Sequence, residues 1–379
     1  MGSGRFPTRV IHAGEPRPPV GGAVTPPIYQ SSTYIYENES EYDDVRYIRL
    51  SNTPNHRWLA AKLANLEGAE DAAVFASGMA AITATLLAVV GNDGHLIAQE
   101  SLYGGTHHFL REYFEGFGRR VSFLRDNDRV ADLIKPDTKA VYVESVSNPL
   151  LKIRDLNAVV SDAKQANVLT IIDNTFPSPV NFNPIHLGFD LVIHSATKYL
   201  NGHTDIVGGC VSGQRGLIRK ITKMQNYLGG SMDTHACFLL HRGLKTLVVR
   251  VRYQNESAQV LAGALEASGK FRKVIYPGLV SHADHARAKE YFRGFGGMLS
   301  LEFDGDSKMA DDYLQRLKIP FIAPSLGGVE TLVTRPVTTS HSGVPKIDLK
   351  RLGISDSLIR ISVGLEDTDD LIADFIGNL

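Results

Sequence analysis

The chain has 379 residues, of which 43% are hydrophobic and 21% charged, with 35 Gly and 17 Pro. That balance excludes a disordered or collagen-like polymer and leaves ample apolar material for a core. Lys and Arg number 40 against 41 Asp and Glu, a formal charge of -1, so the global field draws the protein neither to nucleic acid nor to an anionic membrane.

At about 150 residues per domain the length suggests two domains with an appendage. The two cysteines, Cys210 and Cys237, form no C-x-x-C pair, and this sparse usage fits a reducing compartment. The longest apolar stretch, Ala80 to Val90, is shorter than the roughly 20 residues that span a bilayer. The first residues lack an apolar core of signal-peptide length. The expectation is a cytoplasmic protein without a membrane span.

Residues 1–55 are rich in Pro, Gly, Ser, Thr and Tyr and carry no sustained helical period, which predicts an arm without a core of its own. From Trp58 the apolar spacing predicts a helix ending at Gly68. Short apolar runs then alternate with helix-length segments: 72–76, 95–99, 121–124, 140–144, 168–173, 190–194 and 206–211. Continuous apolar runs of this length predict buried strands of a mostly parallel sheet covered on both faces, an α/β domain over 56–250. One long helical pattern runs from about Asp233 through Leu265. A mixed α+β region over 251–379 follows, with alternating strands at 297–303 and 358–362.

In open α/β sheets ligands bind beyond the carboxyl ends of the strands. The residues after the apolar runs are therefore the candidates for function. Ser77, Gly78 and Met79 follow the first run and open a helix, an arrangement suited to a phosphate and also to an ordinary helix cap. Asp173 and Asn174 end the fifth run. Ser195, Thr197 and Lys198 follow the sixth, where burial would depress an amine's pKa and make it nucleophilic. An isolated lysine at such a place more commonly reaches solvent; the company of Ser195, Thr197, Gly78, Met79 and Asp173 sets this one apart. A Schiff-base lysine, a carboxylate for a pyridinium nitrogen and an uncharged cradle for a phosphate are the parts that bind pyridoxal phosphate.

The run Ser195-Ala-Thr-Lys-Tyr-Leu-Asn-Gly-His-Thr-Asp205, with Ser77-Gly-Met, Tyr103-Gly-Gly-Thr, Ser147-Asn-Pro, Asp173-Asn-Thr, Ser325-Leu-Gly-Gly and Arg360-Ile-Ser-Val-Gly-Leu-Glu366, resembles the Cys/Met-metabolism family of pyridoxal-phosphate enzymes across nearly the whole chain. The resemblance implies the aspartate-aminotransferase-like fold (fold type I) and pyridoxal 5'-phosphate as cofactor. It also implies roles for individual residues. Lys198 would hold the cofactor and shuttle protons, Asp173 would partner the pyridinium nitrogen, and Tyr103 would stack on the ring and serve the leaving group. Gly78, Met79, Ser195 and Thr197 would hold the phosphate, with Tyr47 and Arg49 reaching into a neighbouring subunit's phosphate site. Arg360, with Asn148 and Ser325, would take the substrate carboxylate. A homodimer or homotetramer and a substrate-closing C-terminal domain follow from the same resemblance.

The sequence departs from the family at the side of the pocket that chooses the substrate. His108 replaces a usual Arg, Pro324 a usual Glu and Arg46 a usual acid, and residues 51–55 alter the usual Gly-Asn-Pro-Thr. Methionine γ-lyases usually carry Cys where this chain has Gly105. The expected reaction is γ-elimination by a carbon–sulfur lyase, giving a thiol, ammonia and a 2-oxo acid; the alternative is γ-replacement on an O-acylated homoserine. P-loop, hydrolase-elbow and zincin motifs are missing. The His107-His108 and His282/His285 pairs lack a third ligand, so no metal is expected. A cofactor-keeping regulatory protein and a nucleotide-dependent oxidoreductase are the other classes, and the set of site residues speaks against both.

Overall fold

A computed structural model describes residues 4–38, 42, 45–344 and 346–378; the remaining positions of the N-terminal arm lie outside them. Twelve strands occur among the described residues. The first seven are β1 (Asp71–Phe75), β2 (His95–Gln99), β3 (Arg120–Leu124), β4 (Thr138–Glu144), β5 (Leu169–Asp173), β6 (Leu191–Ser195) and β7 (Gly209–Gly213). They form one sheet in the order β1-β7-β6-β5-β4-β2-β3, parallel throughout except for β7, which runs antiparallel to both neighbours.

Apolar side chains of the central strands are buried on both faces. Val141, Val143 and Ile172 enter one core with Leu59 and Leu63 of the helix Pro54–Glu67, while Ala140, Tyr142 and Ile171 enter another with Ala81, Leu86 and Val90 of the helix Gly78–Val90. A parallel strand covered on both sides requires this uninterrupted apolar sequence.

The second sheet contains β8 (Lys273–Ile275), β9 (Met298–Glu302), β10 (Phe321–Ile322), β11 (Leu332–Thr334) and β12 (Leu358–Ser362), in the order β10-β11-β12-β9-β8. Its buried face, including Leu299, Leu301, Ile359 and Ile361, packs with Ala258, Leu261 and Leu265 of the long helix Leu247–Ala267. β12 lies in the middle of this sheet, so a residue placed on it is held from both sides.

Two expectations are corrected. The arm contains a short helix, Phe6–His12, and its last two residues already belong to the helix Pro54–Glu67, which ends at Gly68 with φ +75°. The single helix expected from Asp233 is instead two, Thr234–Leu244 and Leu247–Ala267. The break frees the Gly243 carbonyl, which accepts Arg250 Nη2 at 3.0 Å, and a Cβ on Gly243 would lie 2.5 Å from the Asn201 carbonyl oxygen.

Arg250 is 3% exposed and also donates to the carbonyls of Tyr199 (2.9 Å) and Leu200 (3.4 Å). It thereby clamps the turn that follows Lys198. Gly202 closes this turn at φ +74°, and a Cβ there would meet Arg250 Nη1 at 1.8 Å. Gly202→Ala combines left-handed strain with displacement of the clamp and is expected to destabilise the protein by about 2–3 kcal/mol. Denaturant unfolding checks this; an unchanged midpoint would contradict the clamp.

Candidate active site

The carboxyl ends of β1, β4, β5 and β6 open into one cavity of about 620 Å³. Its lining includes Gly78, Met79, Tyr103, Asn148, Asp173, Ser195, Thr197, Lys198, Ser325 and Arg360. Ten of the twelve site residues singled out in the sequence therefore meet in one place, brought there from both sheets.

The helix Gly78–Val90 starts at the cavity wall. Ser77 caps it, accepting the Ala80 N–H on its Oγ at 3.0 Å and the Ala81 N–H on its carbonyl at 3.1 Å. The helix leaves the Gly78 and Met79 N–H groups unused at its positive end. A Cβ on Gly78 would stand 2.9 Å from Ser195 Cβ, so glycine allows the helix end and the Ser195 hydroxyl to form one uncharged cradle. Thr197 Oγ1 accepts the Gly208 N–H at 2.9 Å and donates to its carbonyl at 3.2 Å, which fixes the loop between β6 and β7.

Lys198 stands at the base of the cavity with Nζ 2.6 Å from Ser325 Oγ. Burial, aided by the nearby Arg360 charge, lowers its pKa to about 8. Arg360, on β12, is 4% exposed and donates to Asn148 Oδ1 (3.2 Å) and the Ser325 carbonyl (2.8 Å); burial lowers its pKa to about 10. Neither cation has a carboxylate ion pair among the described residues. Ser325 adopts φ +96°, a conformation that turns its hydroxyl and carbonyl to Lys198 and Arg360 respectively.

Asp173 ends β5 and accepts the Thr175 N–H on Oδ1 at 2.9 Å; the Tyr142 hydroxyl lies 3.5 Å from Oδ2. Burial raises its pKa. Tyr103 precedes the helix Gly104–Glu112 and is 44% exposed to the cavity mouth. A Cβ on Gly105 would meet its ring at 2.6 Å, and one on Gly104 would meet the Ser340 carbonyl oxygen at 2.0 Å. The two glycines let the tyrosine turn pack under the segment from the second sheet.

Tyr47 and Arg49 do not line this chain's cavity. Arg49 lies over the Tyr47 ring, 5.5 Å from its centroid, and donates to the Asn226 carbonyl at 2.9 Å and the Tyr42 hydroxyl at 2.7 Å. Of His108, Pro324 and Arg46, three of the departures from the family pattern, only Pro324 lines the cavity. His108 is exposed against Tyr113, and Arg46 lies over the Tyr34 ring.

Two buried groups escaped the sequence reading. Glu144 ends β4 directly beside Asp173. His341, 3% exposed, has Nδ1 2.9 Å from Ser340 Oγ, and burial followed by the Arg360 charge lowers its pKa to about 4. Glu144 stood within the fourth apolar run, where its strand-end position was the available signal. His341 follows a Thr- and Ser-rich segment that offered none.

The residues fit pyridoxal phosphate: an amine with a depressed pKa, a buried carboxylate, an aromatic ring and a phosphate cradle whose closeness depends on Gly78 surround one cavity. The sequence profile of the Cys/Met metabolism PLP-dependent enzymes matches residues 7–379. The chain is 40% identical over 369 residues to a cystathionine beta-lyase of Coxiella burnetii, covering 96% of this chain and 95% of that one. It is also 40% identical over 370 residues to a cystathionine gamma-lyase of Bacillus subtilis, with 97% of each covered. A cystathionine gamma synthase structure from Xanthomonas oryzae pv. oryzae, in complex with aminoacrylate and cysteine, superposes with a TM-score of 0.94 at 35% identity, covering 99% of this chain and 97% of that one. The fold, the cavity and these similarities lead to one conclusion: the chain belongs to the Cys/Met metabolism family of pyridoxal-phosphate-dependent enzymes.

Proposed function

We propose that the protein is a carbon–sulfur lyase of sulfur amino-acid metabolism that performs γ-elimination on a cystathionine- or methionine-like substrate. The observation that carries this reading is the Lys198 amine, its pKa lowered to about 8, sharing a cavity with Arg360 and Asp173. Pyridoxal phosphate, when bound, would supply an electron sink for the charge that develops at the substrate Cα.

In this reading the uncharged cradle of Gly78, Met79, Ser195 and Thr197 binds the phosphate. Asp173 would accept the ring N–H and so favour the protonated nitrogen. Arg360 grips the substrate α-carboxylate with both guanidinium N–H arms, and Asn148 and Ser325 hold the guanidinium in place. Lys198 Nζ, its pKa lowered to about 8, would take the Cα proton, give it up to the electron sink and, neutral again, take a Cβ proton. The Tyr103 hydroxyl delivers a proton to the departing sulfur.

Tyr47 and Arg49 lie apart from their own cavity, and we place them at the phosphate of a second copy, making the enzyme a homodimer or homotetramer. The β12 layer, residues 251–379, closes over substrate in this account. No helix among the described residues is long and apolar enough to cross a membrane. Both cysteines are buried and free, in keeping with a cytoplasmic enzyme. The likeness to a gamma synthase structure favours a second reading, γ-replacement on an O-acylated homoserine, which uses the same residues with an added nucleophile.

Incubation with cystathionine, methionine and O-acetyl- or O-succinylhomoserine, with and without thiol, separates these readings. The lyase is expected to release 2-oxobutanoate and ammonia from the thioethers. Pyruvate from cystathionine would instead assign β-elimination, and turnover of acylated homoserine alone would assign replacement. Arg360→Lys, which loses the two-armed grip, is expected to lower kcat/KM by about 10- to 100-fold.

The amine predicts its own pH dependence. Covalent uptake of pyridoxal phosphate by the stripped protein should quicken as pH rises and level off above about 8, because the neutral amine attacks. Stopped-flow absorbance reads this rate. A rate that keeps rising beyond pH 10 would contradict a depressed Lys198.

A further inference from the structure

Glu144 has no role in the chemistry described above, yet it occupies a costly position. β4 and β5 pair in parallel with Glu144 opposite Asp173, so two acidic residues stand on neighbouring strand ends whose backbones are about 5 Å apart. Glu144 is 6% exposed and lines the cavity. Burial and the Asp173 charge push its pKa up. A second acid beside the first is therefore unfavourable for packing and for charge alike.

Its contacts explain its presence. Oε1 accepts the Tyr103 backbone N–H at 2.6 Å, while the chain running on from Glu144 leads within four residues to Asn148. Tyr103 is the ring-stacking candidate at the cavity mouth, whereas Asn148 holds Arg360 through its amide. The two segments come from different strand ends, and Glu144 joins them: its backbone runs into the Asn148 segment and its carboxyl group holds the Tyr103 segment. Gln99 reinforces the joint: its Oε1 accepts the Glu144 N–H at 3.2 Å, and its Nε2 donates to the Ser101 carbonyl at 3.0 Å in the turn leading to Tyr103.

We propose that Glu144 is a positioning residue that sets Tyr103 against the cofactor ring, and ties it to the segment carrying Asn148, by accepting the Tyr103 backbone N–H. This inference rests on the reading of the site given above. What the role requires is an acceptor at full reach. Glu144→Gln keeps that reach and drops the charge, whereas Glu144→Asp keeps the charge and withdraws the acceptor by one carbon–carbon bond, about 1.5 Å.

The test compares cofactor-loaded wild type, E144Q and E144D by kcat/KM, by melting temperature and by visible circular dichroism of the bound cofactor, which reports ring orientation. E144Q is expected to stay within about fivefold of wild type with an unchanged dichroic band. E144D is expected to lose about 10- to 100-fold in kcat/KM and to alter the band while still binding cofactor. The reverse order, E144D near wild type and E144Q impaired, would overturn the proposal in favour of a charge role. Equal losses that follow the melting temperature with an unchanged band would overturn it in favour of a structural one. A wild-type protein that binds no pyridoxal phosphate would instead overturn the reading of the site, a result distinct from these.

Discussion

Lys198 and Arg360 are two cations buried in one cavity with no carboxylate ion pair among the described residues, and the rest of the architecture is organised around keeping them there. Taking a charged amine and a guanidinium out of water is expensive unless hydrogen bonds or anions compensate. The protein supplies hydrogen bonds only: the Ser325 hydroxyl for Lys198, and the Ser325 carbonyl with the Asn148 amide oxygen for Arg360. The Arg360 charge adds to burial in depressing the amine's hold on its proton, and it is the amine that yields because a guanidinium stays protonated at neutral pH. Asp173 and Glu144 line the same cavity but pair with neither cation, and an anionic substrate and a phosphorylated cofactor would supply the missing partner on binding. In the proposed reading, this shortfall is why the site recognises amino acids and pyridoxal phosphate.

Holding those groups in place takes both sheets. Lys198 comes from the end of β6 in the first and Arg360 from the centre of the second, and Ser325 lies before β11 with a contact to each. The Arg250 clamp fixes the turn beyond Lys198 from the start of the long helix that underlies the second sheet. Movement of one sheet against the other therefore changes the distance between the group that would hold the cofactor and the group that would hold the substrate. That geometry suits the closing layer proposed above, and the helix break at 245–246 lies beside the Arg250 clamp between the two sheets.

Much of this was legible in the sequence because strong physical signals carried it. Buried parallel strands need continuous apolar runs, and the runs at 95–99 and 140–144 end where β2 and β4 end. Their carboxyl ends pointed to the polar residues that line the cavity. The reversal of β7 was not legible, since the apolar pattern of a buried strand is the same in either direction. The helix break at 245–246 was hidden because the Arg250 contacts that accompany it are tertiary, and local propensity does not reveal them. Glu144 escaped for a similar reason: its meaning comes from the register of β4 with β5, which places it beside Asp173. His341 acquires its character only from the burial that the second sheet imposes.

Lys198 is not the only lysine that burial disarms. Lys62, in the helix Pro54–Glu67, is fully buried against the Val10 and Ile11 carbonyls and has its pKa lowered to about 8 as well, but it lies outside the cavity lining. The two can be told apart by reducing the cofactor-loaded protein with borohydride and locating the pyridoxyl group by peptide mass spectrometry. The account predicts a single modified peptide containing Lys198. Modification at Lys62 or any other lysine, with Lys198 unlabelled, would contradict it.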